Sequence, residues 1–308
     1  MSTEINSSEW SRDLAARLSA DAVVQWDHPL AKRTTLRVGG RADLYSEPAS
    51  EEDLRLILQF ARERDLPVTL LGRGSNLLIR DAGIRGVVIC LARPAFSQIV
   101  VEGSRLRCGA GVRLKAVSVE ARRAGLAGLE FLEGIPGSVG GALRMNAGAM
   151  GGWMFQVVES VRLMDRSGLA CDLPVAEVPS QYRSCPLLKT QIAVGAVLVG
   201  AIASAPEVAE RMAKYSAKRW ESQPSQPSAG CIFKNPEEMP AGKLIDELGL
   251  KGKRLGGAMV SELHGNFIVN TGAATASDVL NLIEVVREAA RSRRGIELET
   301  EVQILGED

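Results

Sequence analysis

The sequence predicts an α+β protein of two or three domains. Three observations carry that expectation. The chain has 308 residues, more than one core normally serves. Helical and strand periods mix without regular alternation. No internal repeat or low-complexity tract interrupts them. In chain order, residues 1–30 read as a leader with one short helix over 8–18. Ser50 caps a helix whose apolar residues Leu54, Ile57, Leu58 and Ala61 recur at helical spacing before Pro67 stops it. Short apolar strands are expected at 68–71, 77–79 and 86–91. The segment 99–108 reads as a strand pair turning at Gly103 and Ser104. A helix over 112–124 ends at Gly125. The stretch 134–152 is too poor in side chains to build a core and reads as a loop pressed against something. Strands follow at 157–165 and 192–203, then a helix at 207–220 and a loop at 221–230. Ser277 reads as the N-cap of a last helix carrying Val279, Leu280, Ile283 and Val286. Arg291, Arg293 and Arg294 suit the negative end of its dipole, and Gly295 ends it. Residues 296–305 alternate as a strand.

Composition excludes several classes. The hydrophobic fraction is 45%, enough for a packed, soluble protein. Lys plus Arg and Asp plus Glu both total 37, so no broad nucleic-acid footprint is expected. No apolar run reaches about 18 residues, so no membrane span is expected. The first 18 residues lack an apolar signal core. The cysteines at 90, 108, 171, 185 and 231 form no Cys-x-x-Cys pair and suggest a reducing cytoplasm. With only His28 and His264, no His-based metal site is expected.

Among the 31 glycines, two glycine-rich runs dominate. The first is L-L-G-R-G-S-N-L-L, 70–78, between two apolar strands. Successive amides in such a turn can form a nest for a diphosphate, and Ser75 and Asn76 add side-chain donors. The second is G-I-P-G-S-V-G-G-A, 134–142, continued by L-R-M-N-A-G-A to residue 149. One such run alone is more often a tight packing turn. Two favour a ligand with a diphosphate and an extended body. Neither is a dinucleotide fingerprint, because G-x-G-x-x-G opens no helix here, and 109–112 lacks the third glycine. No P-loop is present.

At these residues the chain resembles the UDP-N-acetylenolpyruvoylglucosamine reductases (UDP-N-acetylmuramate dehydrogenases). The resemblance runs from T-T-L-R-V-G-G, 34–40, to the C-terminal end. It includes G-R-G-S-N-L-L, G-L-E-F-L-E-G-I-P-G-S-V-G-G-A, M-N-A-G-A, Y-R-S, P-S-A-G-C-I-F-K-N-P, A-G-K-L-I-D, G-L-K-G, N-F-I-V-N-T-G and E-T-E-V. No long tyrosine-bearing insertion follows Tyr182, so the chain looks like the shorter of the family's two types. The resemblance implies a two-lobed FAD-binding module of the vanillyl-alcohol-oxidase kind over 33–200, after a leader at 1–32. It implies a smaller α/β substrate domain over 205–308. FAD is the implied cofactor and NADPH the implied hydride donor. The implied substrate is a small nucleotide sugar, with UDP-N-acetylmuramate as product in peptidoglycan precursor synthesis. A monomer or weak dimer is expected.

Cofactor contacts are then expected from Gly72, Arg73, Gly74, Ser75, Asn76 and Leu77 in the first run. The second run supplies Gly134, Ile135, Pro136, Gly137, Ser138, Gly140, Gly141, Ala142, Asn146, Ala147 and Gly148. In the family reaction a flavin hydride adds to an enol ether conjugated to a carboxylate. A cation must stabilise the resulting enolate and an acid must protonate the adjacent carbon. Arg183 in Y-R-S matches the family's catalytic arginine, and Glu301 in E-T-E-V its glutamate. Cys231 stands at the proton donor's position, where serine is commoner. A thiol, with pKa about 8.5, is a far stronger acid than an alcohol, though open to oxidation. By position alone Cys231 is a buried small residue, Arg183 a surface arginine, and Glu301 one of three carboxylates with Glu297 and Glu299 on one strand face. Tyr182, Arg219, Lys234, Asn235 and His264 are the implied substrate contacts. His264 and Asn266, in L-H-G-N-F, are equally readable as structural. Met150 stands where many relatives carry tyrosine, and Arg73 where glycine is frequent. Two other functions compete. A flavin oxidase of the same superfamily often tethers FAD through histidine, and neither histidine here lies in a glycine run. A binding protein without turnover would not need all three catalytic positions.

Overall fold

The computed structural model describes residues 7–308. Its contacts divide the chain into two compact units. The first comprises Met1–Asp27, as far as it is described, with Asp43–Gly72 and Gly86–Lys218. The second comprises His28–Ala42, Arg73–Arg85 and Arg219–Asp308.

The first unit holds two sheets. One has the strand order Val23–Pro29, Arg41–Glu47, Ile84–Ile89, Val68–Leu70. Its last two strands run parallel, with Leu70 opposite Ile89. The helix Glu51–Glu63 forms as its spacing predicts. Ser50 Oγ accepts the Asp53 amide at 3.0 Å, and Leu54, Ile57, Leu58 and Ala61 are buried. The segment read as a leader supplies the helix Ser7–Arg17 and the strand Val23–Pro29, while its first six residues lie outside the described ones. Leu14 is buried in the same core as Leu44, Leu54, Phe60 and Val87.

The other sheet is antiparallel, in the order Ala170–Pro174, Val158–Met164, Ile192–Val199, Arg105–Gly109, Ile99–Glu102. Leu106, Cys108, Val161, Leu163 and Leu198 share a second core with the helices Leu114–Arg123 and Val139–Met145. Burial pushes the Cys108 thiol up to about 12, so this cysteine is an inert packing group. The second of these helices is a correction. The run 134–152 is not all loop, because Ser138 Oγ accepts the Gly141 amide and starts a helix there. A glycine run can therefore open a helix in this chain.

The second unit has a four-stranded sheet, ordered Ser228–Cys231, Phe267–Asn270, Ala258–Val260, Arg254–Leu255. Leu244, Val260, Ile268, Val279, Ile283 and Val286 form its core with the helices Ala241–Glu247 and Ala276–Arg294. The long helix, Ala276–Arg294, has its cap at Thr275, two residues before the expected one. Thr275 Oγ1 accepts the Asp278 amide, and the Asp278 carboxylate accepts the Thr275 amide, both at 3.0 Å. Ser277 instead donates its amide and hydroxyl to Asp81. Gly295 ends the helix at φ +67, as predicted. The strand expected over 296–305 shrinks to Gln303–Leu305, which pairs in parallel with Leu77–Ile79. Among the described residues, no helix is long and apolar enough to cross a membrane.

Candidate active site

In the first unit Gly72, where the first glycine run begins, meets the second run. A Cβ on Gly72 would lie 3.0 Å from Ser138 Oγ. Gly140 donates its amide to Ala110 O at 2.8 Å, and a Cβ there would stand 3.1 Å from the Ala110 Cβ. Gly134 has no protein atom within 4 Å of its missing Cβ, so the space beside it is open. Gly137 closes a tight turn onto Ile135 O at 2.9 Å, beside exposed Pro136. The Ala142 side chain belongs to the core, and Ala147 packs against it. Asn146 caps the helix in the left-handed region, at φ +39. Its amide group serves the protein, donating to Gln181 O and accepting from Phe155 N.

Beyond Asn146 the chain turns back on itself. Met150 at φ +53 and Gly151 at φ +84 join Gly148–Ala149 to Gly152–Trp153, the pattern of a two-residue hairpin with both central residues left-handed. The Trp153 ring lies on Gly148, where a Cβ would come within 2.2 Å of it. Arg183 sits in a turn closed by the Gln181 and Ser184 amides and carbonyls. Its φ is +56, a conformation that costs a side-chain-bearing residue about 1–2 kcal/mol and so marks a constrained position. The guanidinium donates to Gly148 O at 3.3 Å. It lies 5.5 Å from the Trp153 ring and 5.4 Å from the Tyr182 ring. The two rings meet edge to face at 5.8 Å, and Tyr182 is 52% exposed.

In the second unit, Cys231 ends the strand Ser228–Cys231, opposite Phe267, and is half-buried. Glu301 is its neighbour through one residue: the Glu301 amide donates to Ile232 O at 2.7 Å. The first glycine run joins them. Asn76 Nδ2 donates to Glu301 O at 3.1 Å, and Asn76 O accepts the Gln303 amide at 2.9 Å. Ser75 O lies 3.9 Å from where a Cβ on Gly230 would stand. Leu77 begins the strand that pairs with Gln303. Cys231, Glu301, Ser75 and Asn76 thus form one cluster.

Three residues hold this cluster: Thr35, to which the sequence assigned no role, and Asn266 and His264, for which it left a structural role open. Thr35 donates its amide to Gly74 O at 3.1 Å and its hydroxyl to Ser228 O at 2.7 Å. Asn266, 2% exposed, clasps Phe233 from both sides. Its Oδ1 accepts the Phe233 amide and its Nδ2 donates to Phe233 O, at 2.9 and 2.8 Å. The signal for Asn266 was a lone amide side chain before the apolar run 267–269. His264 Nδ1 accepts the Asn266 amide at 3.1 Å, and its ring packs edge-on to Phe267 at 4.9 Å. Burial, then the Lys251 charge, holds the His264 pKa below its ordinary value, favouring the neutral ring. Among the implied substrate contacts, Lys234 pairs with Glu299 at 2.8 Å. Asn235 accepts the Ala241 amide and so starts the helix Ala241–Glu247. Arg219 lies over the Trp220 ring at 5.9 Å, near the end of the helix Ala205–Ser222. Arg183 and Tyr182 belong to the first unit.

An extended anion with a flat ring system suits the lining in the first unit. Glycines leave room beside the backbone, and Arg93 keeps a buried Nε without a hydrogen-bond partner. Comparison with known proteins gives the class. The profile described as FAD binding domain matches residues 42–173, so the chain is an FAD-binding flavoprotein. The profile of the UDP-N-acetylenolpyruvoylglucosamine reductase C-terminal domain matches residues 223–305. The UDP-N-acetylenolpyruvoylglucosamine reductase of Geobacter metallireducens is 45% identical over 299 residues, covering 96% of this chain and 99% of that protein. That of Moorella thermoacetica is 42% identical, covering 91% and 93%. The crystal structure of UDP-N-acetylenolpyruvylglucosamine reductase from Thermus caldophilus superposes with a TM-score of 0.81 at 39% identity. It covers 92% of this chain and 100% of that one. The chain belongs to the UDP-N-acetylenolpyruvoylglucosamine reductase family.

Proposed function

We propose that this protein reduces UDP-N-acetyl-enolpyruvoylglucosamine to UDP-N-acetylmuramate with NADPH, a step of peptidoglycan precursor synthesis. Family membership supports the reaction. The observation that carries the site is the adjacency of Cys231 and Glu301 through the Ile232–Glu301 hydrogen bond. The chemistry that bound FAD would supply is hydride transfer from NADPH to the terminal carbon of the enolpyruvyl double bond. The chain's own residues do the rest. Arg183 faces the substrate carboxylate, where a fixed cation stabilises the charge that develops as the hydride adds. Its rings and the Gly148 carbonyl hold the guanidinium in place beforehand. Cys231 Sγ–H protonates the carbon next to that carboxylate, completing the addition of two hydrogens across the double bond. Glu301 orients the substrate and the thiol from a backbone pinned by Ile232 and Asn76. Lys234, Asn235, Tyr182, Arg219 and His264 contact the nucleotide sugar, and the residues of the two glycine runs contact FAD. In functional terms, 33–200 holds the cofactor and 205–308 the nucleotide sugar. The enzyme works in the cytoplasm as a monomer or weak dimer, without a nucleic-acid partner.

Anaerobic stopped-flow tests the assignment. NADPH should bleach the flavin and the enolpyruvyl nucleotide sugar should restore its colour. Cys231→Ala should leave the first step nearly intact and slow the second by about 10²–10⁴-fold, while Cys231→Ser retains measurable activity. Equal second-step rates in Cys231→Ala and parent would remove the thiol from the mechanism. Oxygen restoring colour faster than the substrate would favour an oxidase.

A further inference from the structure

Arg93 lies in the segment that leaves the strand Ile84–Ile89. That strand is parallel to Val68–Leu70, and the Leu71 amide donates to Ile89 O at 2.8 Å. The first glycine run leaves the sheet from the same edge, at Gly72. Ligands of open parallel sheets bind outside this edge, beyond the carboxyl ends of the strands. The Arg93 segment is also pressed onto 109–111. A Cβ on Gly111 would lie 1.8 Å from Leu91 O, and the Gly111 amide donates to Phe96 O at 2.8 Å. Ala110 O accepts the Gly140 amide, and Ser138 meets Gly72. Every link in this chain of contacts lies in the first unit, and together they tie the segment that carries Arg93 to the second glycine run and Gly72.

Its chemistry there is unusual for this molecule. Arg105 pairs with Glu159, and Arg162 pairs with both Glu51 and Asp172. Among the described residues, none pairs with Arg93, and its buried Nε donates to nothing. A buried, unmet guanidinium N–H carries a desolvation penalty that an anion would relieve. Glycine amides are neutral, whereas a dinucleotide diphosphate is doubly charged. Guanidinium forks match phosphate oxygens with two parallel N–H···O bonds. We propose that Arg93 is a further cofactor-binding residue, holding the FAD diphosphate at the edge shared by the two glycine runs. The proposal rests on the FAD reading and adds a cation from outside the two glycine runs.

The test is flavin binding by the deflavinated full chain, followed by flavin fluorescence for FAD and for riboflavin, which has no diphosphate. Arg93→Gln and Arg93→Ala should raise the Kd for FAD by about 10–100-fold. They should leave riboflavin affinity unchanged. The slope of log Kd for FAD against log salt should flatten in both, as expected when a phosphate contact is lost. Arg93→Lys should lie between Arg93→Gln and the parent. Unchanged FAD affinity would overturn the proposal. So would equal weakening of FAD and riboflavin, which would mean a loosened fold, or weakening with an unaltered salt slope, which would mean an uncharged contact. A parent chain that takes up no FAD would remove the flavin reading itself, and this proposal with it.

Discussion

Gly74 and Gly134 sit in segments of similar composition, yet their surroundings differ completely. Gly74 is left-handed at φ +62, and a Cβ there would stand 2.3 Å from Arg33 O and 2.7 Å from Thr34 Cα. The protein itself requires that glycine. Gly134 would place its Cβ in open space. Packing among the described residues does not require it. Residues of one type in two similar runs thus answer to different surroundings. Their environments differ in kind as well. The first run is tied by polar groups to Cys231 and Glu301, through Thr35, Asn76 and the neighbouring Asn266 clasp. The second leads to Arg183, held by Trp153 and Tyr182.

The contrast can be broken by mutation and by acid. Gly74→Ala should have the largest effect, lowering stability by about 3 kcal/mol through left-handed strain and backbone collision. Urea unfolding at parental values would show that the first run is not fold-determined. Acid should act next, on the polar scaffold of the first run. His264 has its pKa below the ordinary 6.5, because burial and then Lys251 disfavour its charged form. The unfolded chain therefore binds a proton more readily. The contribution of the neutral ring is full above the unfolded value and is lost as pH falls through 6.5 toward the folded pKa. His264→Gln should flatten the loss of melting temperature on acidification from neutral pH, and an unchanged slope would show that the ring's titration is silent. Gly134→Ala should do least to the fold, within about 0.5 kcal/mol of the parent, while weakening FAD binding. Parental FAD affinity in that variant would mean that the open space is not used.

Much of the scaffold was legible because its signals are local. Ser50 caps the helix Glu51–Glu63, and Gly125 and Gly295 follow their helices in the left-handed region, since capping needs only a few consecutive residues. The last helix began early because Thr275 and Asp278 form a reciprocal box, while Ser277 was recruited by Asp81, 196 residues away. No window of sequence contains both partners. The strand over 296–305 failed for the same reason. Glu299 and Glu301 bond to 232–234, and that pairing bends the segment out of a regular ladder. At the site, the motifs named Cys231 and Glu301 and the structure joined them through Ile232. Asn266 could be read only as a residue of open role, and Thr35 had none assigned, because their partners are backbone groups of distant segments, Phe233 for one, Gly74 and Ser228 for the other.

The pairing of Leu77–Ile79 with Gln303–Leu305 also sets a timetable. Asn76 and Glu301, bonded in the folded chain, are 225 residues apart. At roughly 5–20 residues per second, a ribosome takes on the order of ten to forty-five seconds to make the second after the first. During that interval the apolar strand behind the first glycine run has no partner, whereas all the segments of the first unit are already synthesised at Lys218. The Cys231 cluster therefore cannot assemble before Glu301 and Gln303 are made, and until then a nascent chain carries the L-L-I segment without its strand partner.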